Sequence, residues 1–343
     1  MNTIQKNITH ENLLKFLEAV RSDGRILYGP QEVKHKTFFK KVEDVESITF
    51  DYVQTTESPK AVLFPRVERL ISYEKVNGEV KIVDHAVEID GTELVLFGSR
   101  PCDAVAMKLL ADFFERDTPD TFVKRRRGNL TIISMSCVNS DEYCFCTSAK
   151  TSPGDTSGSD ILLTPVGDNS YYAEILTEKG NALHNAHGGL FTDSETIEKE
   201  KFLAKVENNF STGEVTRRLS KAFSHPLWND AALRCIGCGT CAYVCPVCSC
   251  FDIQDEGNYK NGVRLRCWDS CGFANFTLHT SGHNPRPTQS ARWRQRVMHK
   301  FSYWPEDYGT AGCVGCGRCS RACPADMNLK EQLKEIVEKI EVS

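Results

Sequence analysis

Sixteen cysteines sit in a chain of 343 residues, and twelve of them fall between Cys235 and Cys323. Two stretches repeat one spacing. CIGCGTCAYVCP supplies Cys235, Cys238, Cys241, Cys245 and Pro246, and CVGCGRCSRACP supplies Cys313, Cys316, Cys319, Cys323 and Pro324. Both read C-x2-C-x2-C-x3-C-P, the run that holds paired [4Fe–4S] clusters. Three cysteines at steps of three wrap a tight loop around one cubane. The fourth, at a helix start marked by proline, points away and reaches the other cluster. The spacing therefore predicts two clusters, one on Cys235, Cys238, Cys241 and Cys323, the other on Cys313, Cys316, Cys319 and Cys245. Gly237, Gly239, Gly315 and Gly317 let the backbone approach each cluster closely. Zinc ribbons use separated C-x2-C pairs, not triplets followed by x3-C-P.

Eight cysteines lie outside these runs. Cys102 (RPCD), Cys137, Cys144 and Cys146 (CVNSDEYCFC) form an N-terminal set. Cys102 follows the apolar run Glu93–Phe97, and Cys137 follows Leu130–Met135. If those runs are parallel neighbouring strands, all four thiols gather at one carboxyl edge, where open α/β sheets place their sites. The expectation is a third [4Fe–4S] cluster or zinc, with iron–sulfur favoured, against the alternative of packed, redox-idle thiols. Cys248, Cys250, Cys267 and Cys271 lie in the segment 247–312 that separates the two runs. They are either buried packing thiols or an additional metal site.

The elements that position these groups follow from periodicity. Residues 10–22 (HENLLKFLEAVRS) read as an amphipathic helix stopped at Gly24. Strands are expected at Arg25–Tyr28, Ser47–Val53, Ala61–Phe64, Lys81–Val83, Glu93–Phe97, Leu130–Met135, Ile161–Thr164 and Tyr171–Leu176. Asp103–Phe114 has helical spacing, with Asp103 as its N-cap. The order strand, helix, strand around it predicts a βαβ unit. Residues 151–160 (TSPGDTSGSD) are a loop, and further helices are expected near 194–208 and 212–224. The fold class is thus an α/β N-terminal domain, residues 1–227, followed by an α-helical ferredoxin-like 2[4Fe–4S] domain, residues 228–343, with the long insertion 247–312.

Composition narrows the function. The net charge of −4 does not favour nucleic acid. No apolar run approaches the roughly 18 residues of a membrane span. The start of the chain lacks a signal core, so a cytoplasmic protein is expected. No G-x-G-x-x-G after a strand and no P-loop occur, so NAD(P) or ATP binding is not expected in this chain, and electrons must come from a partner. Residues 286–300 carry Arg286, Arg292, Arg294, Arg296, His299 and Lys300. They read either as a docking face or charge source near a cluster, or as a solvated helix over Trp293 and Val297. His279 and His283 read as loop histidines rather than ligands.

The strings RCIGCGTCAYVCPVCSCFD, WDSC, SGHNPRPTQSARWRQRVMHKF and CVGCGRCSRACP, with the upstream HPLW and RPCD, resemble the electron-transfer subunits that carry a 4Fe–4S dicluster domain. That family includes the beta subunit of cytoplasmic sulfhydrogenases and the corresponding electron-transfer subunit of anaerobic sulfite reductase. The resemblance implies a hetero-oligomeric partner set. A flavin/NAD(P)H-binding reductase subunit would stand on one side and a terminal catalytic subunit of hydrogenase, sulfite reductase or heterodisulfide reductase type on the other. It also implies a non-catalytic relay. The rival reading from another class is an enzyme with its active site at Cys102, which needs a base; the segment 98–106 has none, and His85 is the histidine that the fold could bring near.

Overall fold

The computed structural model describes residues 3–341. Two sheets organise it. The larger has eight strands: β1 (Ile4–Thr9), β2 (Ile26–Val33), β3 (Lys36–Lys41), β6 (Leu94–Ser99), β7 (Leu130–Met135), β8 (Ile161–Gly167), β9 (Ser170–Ile175) and β10 (Thr192–Asp193), in the order β10-β1-β9-β8-β7-β6-β2-β3. The smaller has four: β4 (Val67–Val76), β5 (Glu79–Asp84), β11 (Phe251–Gly257) and β12 (Asn261–Trp268), in the order β11-β12-β4-β5.

The large sheet is mixed. Its centre, β2, β6, β7 and β8, is parallel, and antiparallel strands flank it on both sides. The central strands bury both faces. Val95 and Phe97 of β6 enter a core with Leu13, Phe16 and Leu17 of the helix His10–Ser22. Leu96 enters a second core with Met107 and Leu110 of the helix Pro101–Glu115. Such continuous apolar runs are what covered parallel strands require.

The register of β6 slips between Phe97 and Ser99. Gly98 takes φ +78°, and a Cβ there would meet the Pro30 ring at 2.9 Å. This kink turns the chain into the helix Pro101–Glu115, so Cys102 lies in its first turn. Asp103 is not the N-cap. It stands inside the first turn and accepts from the backbone N–H of the capping residue Arg100 at 3.3 Å, the reciprocal half of a capping box.

Several sequence expectations change. Ala61–Phe64 is a single helical turn, Lys60–Leu63, begun by Pro59. Ser47–Val53 forms no strand and follows the short turn Val45–Ser47. The region 194–208 holds only the turn Lys199–Phe202. Tertiary bonds outcompete a helix there: Lys199 reaches Gly154 O and Glu174, and Ala204 N donates to Cys137 O at 2.7 Å.

The C-terminal part is helical only in part. The helices Thr212–Leu219, Gln289–Met298 and Leu329–Lys339 share a core with Trp228, Trp293 and Phe301. The insertion also contributes the hairpin β11–β12, whose β12 pairs with β4 of the N-terminal half. At that junction Arg266, almost fully buried, donates to Glu68 at 3.0 Å and pairs with Asp120. Trp268 donates to Phe64 O at 3.0 Å. No helix among the described residues is long and apolar enough to cross a membrane.

Candidate iron–sulfur centres

The two runs fold alike. Gly237 and Gly239 take φ +71° and +73°, and Gly315 and Gly317 take +64° and +72°. Each pair of left-handed turns feeds a short helix, Thr240–Tyr243 in one run and Arg318–Arg321 in the other. The backbone is thereby curled tightly in both runs, and successive N–H groups in such turns can cradle a sulfide-rich cube.

A cavity beside the first run is lined by Cys235, Cys238 and Cys241, and also by Cys319 and Cys323 of the second run. Gln289 Nε2 donates to Cys235 Sγ at 3.0 Å, and the Met327 backbone N–H donates to Cys323 Sγ at 3.3 Å. Cys238 is exposed. Beside it Leu233 and Ile236 stand out in solvent, 80% and 69% accessible.

Cys245 and Cys316 lie deeper, buried with Val247, Trp304, Val314 and Cys102. Lys300 Nζ reaches Cys245 Sγ at 3.4 Å and Gly312 O at 2.7 Å. Burial pushes Cys313 up to about 11, with Lys300 opposing and Cys245 and Cys316 reinforcing. Cys319 is raised by burial, and Cys313, Cys316 and Cys245 add to the rise. Cys313, Cys316 and Cys245 thus all lie within electrostatic reach of Cys319.

Cys102, Cys137, Cys144 and Cys146 line one further cavity together with Gln54, Gly315 and Cys316. The parallel pairing of β6 and β7 brings the first two to the same edge. Cys137 N donates to Pro153 O at 2.8 Å, and Thr151 N donates to Cys146 O at 3.0 Å, closing the loop that carries the rest. Gln54 Nε2 points at Cys102 Sγ at 3.0 Å, while its buried Oε1 has no partner. Burial raises Cys137 to about 11 and Cys146 to about 12. Thiols so placed stay protonated until a metal displaces the proton. Among the described residues no three His, Cys, Asp or Glu side chains are gathered as tightly as one metal ion needs. A four-iron cube spreads its thiolates wider than a single tetrahedral ion does.

The insertion thiols are not brought together as four. Cys248 acts electrostatically on Cys245, and Cys271 on Cys250. Cys267 sits apart on β12, 3.8 Å from Gln254 Oε1. The basic stretch divides. Trp293 and Val297 pack beneath its helix, but Arg296 and Lys300 turn inward and are buried. Arg296 meets Cys248 Sγ at 3.4 Å and Cys241 O at 2.6 Å. Arg294 stacks 3.9 Å over Phe223. His279 and His283 contact each other in an exposed loop. His85 is engaged by Ser72 and Glu88 on the small sheet, and no histidine lines the Cys102 cavity.

The chain matches the family model of the 4Fe-4S dicluster domain over residues 234–327. It is 30% identical to sulfhydrogenase 2 subunit beta of Pyrococcus furiosus over 333 residues, 94% of this chain and 96% of that protein. The chain belongs to the sulfhydrogenase beta-subunit family. It is a [4Fe–4S] electron-transfer subunit. Family membership extends through the N-terminal sheet as well as the dicluster part, because the match covers nearly the whole length of both chains.

Three buried residues beside these thiols carried no sequence signal for the contacts they make. Arg318 and Asp103 form a buried ion pair, and Lys60 lies 3.7 Å over the Trp268 ring while donating to Cys248 O at 3.0 Å. The one visible hint was Arg318 itself, a charge inside the tight loop where the first run has Thr240.

Proposed function

We propose that the chain is a three-centre electron relay. The first centre would be held by Cys235, Cys238, Cys241 and Cys323, the second by Cys313, Cys316, Cys319 and Cys245, and the third by Cys102, Cys137, Cys144 and Cys146. Each [4Fe–4S] group, when bound, supplies a one-electron carrier whose potential follows hydrogen bonds to sulfur, nearby charge and exposure. The observation that supports the reading most is the shared wall: Gly315 and Cys316 of the second run line the cavity of the N-terminal four thiols. The functional division falls at about residue 227, with the third set in residues 1–227 and the first two in 228–343.

The protein's own residues would do three things. They hold the second set in the interior, where Cys245 and Cys316 are buried. They open the first set to the surface at Cys238, and the third at Val138 and Asn139, which are exposed beside Cys137. They keep histidine bases out of the third set. Two exposed ends flanking a buried middle suit a subunit that stands between a flavin/NAD(P)H-binding reductase subunit and a terminal catalytic subunit of hydrogenase type; the Pyrococcus relative is named as a subunit of a sulfhydrogenase.

Iron and acid-labile sulfide per chain test the reading. About twelve irons support three centres and about eight support two. Zinc in place of iron would overturn it.

A further inference from the structure

We propose that the surface around Cys238 docks an acidic one-electron carrier protein, one whose redox centre lies under an apolar patch rimmed by Asp and Glu. The inference rests on the reading that the two runs bind clusters, and it names the chemistry of the partner that meets the exposed end of the first.

The apolar centre of the surface belongs to the first run. The helix Leu227–Ala232 turns Leu227, Trp228 and Ala232 into the core, and the chain then leaves Leu233 and Ile236 in solvent on either side of Cys235. Cys238 is exposed two residues further on. Ile236 and Cys238 line the same cavity as Arg292 and Gln289. Phe223, half exposed, extends the apolar surface along the helix Gln289–Met298. Arg294 lies 3.9 Å over its ring and donates to its carbonyl oxygen at 3.1 Å.

Charge decides what can cover this surface. The chain as a whole carries −4, yet no Asp or Glu occurs between Glu214 and Asp230 or between Asp269 and Glu306. The second of these stretches supplies Arg286, Arg292 and Arg294. Arg292 donates to Gln289 Oε1 at 2.8 Å and to Arg286 O at 3.0 Å, and among the described residues none of the three guanidiniums has a carboxylate at ion-pair distance. Two acids stand nearby. Asp326 pairs with Arg234 at 3.2 Å, and Asp230 lies one turn before Arg234 on the chain. Four guanidiniums thus face two carboxylates, a local surplus opposite in sign to the whole molecule. Such a surface steers acidic partners in and turns basic ones away.

The contents of the patch select a protein over other polyanions. A cluster ligand stands in its middle, where only a redox partner gains from close approach. Aliphatic side chains rather than stacking aromatics flank it, which does not suit unstacked bases. Two aliphatics on a tight loop form no amphipathic helix to lie in a bilayer surface. A few apolar side chains within a charged rim make a small contact, the size class of transient electron-transfer encounters. In the encounter the partner gains one electron and the first centre loses one, or the reverse. No bond breaks and no proton moves.

The test uses the holo protein, reduced anaerobically with dithionite and freed of the excess. It is mixed by stopped flow with oxidised flavodoxin as the acidic carrier and, separately, with cytochrome c as the basic one. The second-order rate constant with flavodoxin should fall about tenfold or more from low to high salt. The double variant Arg286→Glu, Arg294→Glu should slow flavodoxin about tenfold at low salt, speed cytochrome c, and match wild type at high salt. Leu233→Ser should slow flavodoxin at both salt concentrations, since apolar contact is not screened. Flavodoxin reduction indifferent to salt, or unaltered in the double variant, would overturn the docking site. Binding to phosphatidylserine vesicles that the double variant loses while it keeps the wild-type flavodoxin rate would overturn it in favour of a lipid surface. A wild-type chain short of about eight irons would instead sink the cluster reading on which the proposal stands.

Discussion

The guanidinium of Arg318, in the loop between Cys316 and Cys319, grips the carboxylate of Asp103, the residue after Cys102, with both side chains fully buried. Arg318 Nη2 reaches Asp103 Oδ2 at 2.9 Å and Thr55 Oγ1 at 2.8 Å, and its Nε reaches Thr55 O at 3.0 Å. One ion pair therefore ties the second cysteine run to the turn that carries the N-terminal set.

Arg318→Met should be strongly destabilising. It leaves the Asp103 carboxylate buried without its cation, a change that costs about 3–5 kcal/mol. Anaerobic thermal unfolding should show a marked fall in Tm, and a paired Arg318→Met, Asp103→Leu variant should recover much of it. A single variant as stable as wild type would show that the pair does not hold the two parts together.

Lys300→Met should make the second centre harder to reduce. Its ammonium lies 3.4 Å from Cys245 Sγ, and removing a buried positive charge beside a group that gains an electron lowers the midpoint on the order of 50–150 mV. An EPR-monitored redox titration reads the shift directly. A midpoint unchanged, or raised, would contradict the role of the charge.

Gly315→Ala should disturb two centres at once. The position has φ +64°, and a Cβ would meet the Phe145 carbonyl oxygen at 2.4 Å, where the Gly315 carbonyl also accepts from Phe145 N at 2.9 Å. Iron should fall by about eight atoms per chain, from the second and third sets together. Gly213→Ala, in the helix Thr212–Leu219 with no Cβ contact closer than 3.6 Å, should keep full iron and gain about 0.5–1 kcal/mol. Full iron in Gly315→Ala would rule out the shared wall as a structural necessity.

Stripping iron with a chelator under reducing conditions should unfold the molecule unevenly. The core on the helix His10–Ser22 side of the large sheet contains no cysteine, whereas the cores around Trp293 and Trp304 are lined by them. Limited proteolysis should cut within 234–327 first and leave the large sheet protected. Simultaneous loss of both parts would show that the sheet depends on the metal too.

Local spacing determined the part of the chemistry that is local. A tight loop with cysteines at steps of three, closed by x3-C-P, has one compact way to present thiolates to a cube. The two runs were therefore legible as a repeat, and the structure turns the chain at the glycines of both. The strands Leu94–Ser99 and Leu130–Met135 were legible for a similar reason, since an apolar run covered on both faces looks like little else. What 343 residues in a row did not contain was partnership across the fold. The union of Cys102 with Cys137, Cys144 and Cys146 depends on two strands lying parallel, and their common wall with Cys316 lies beside the Arg318–Asp103 pair that joins the two parts. The separation of Cys267 from Cys271, four residues apart, depends on β12 ending between them. Those arrangements are set by burial and by long-range pairing of charge and backbone. Only the tertiary structure could decide them.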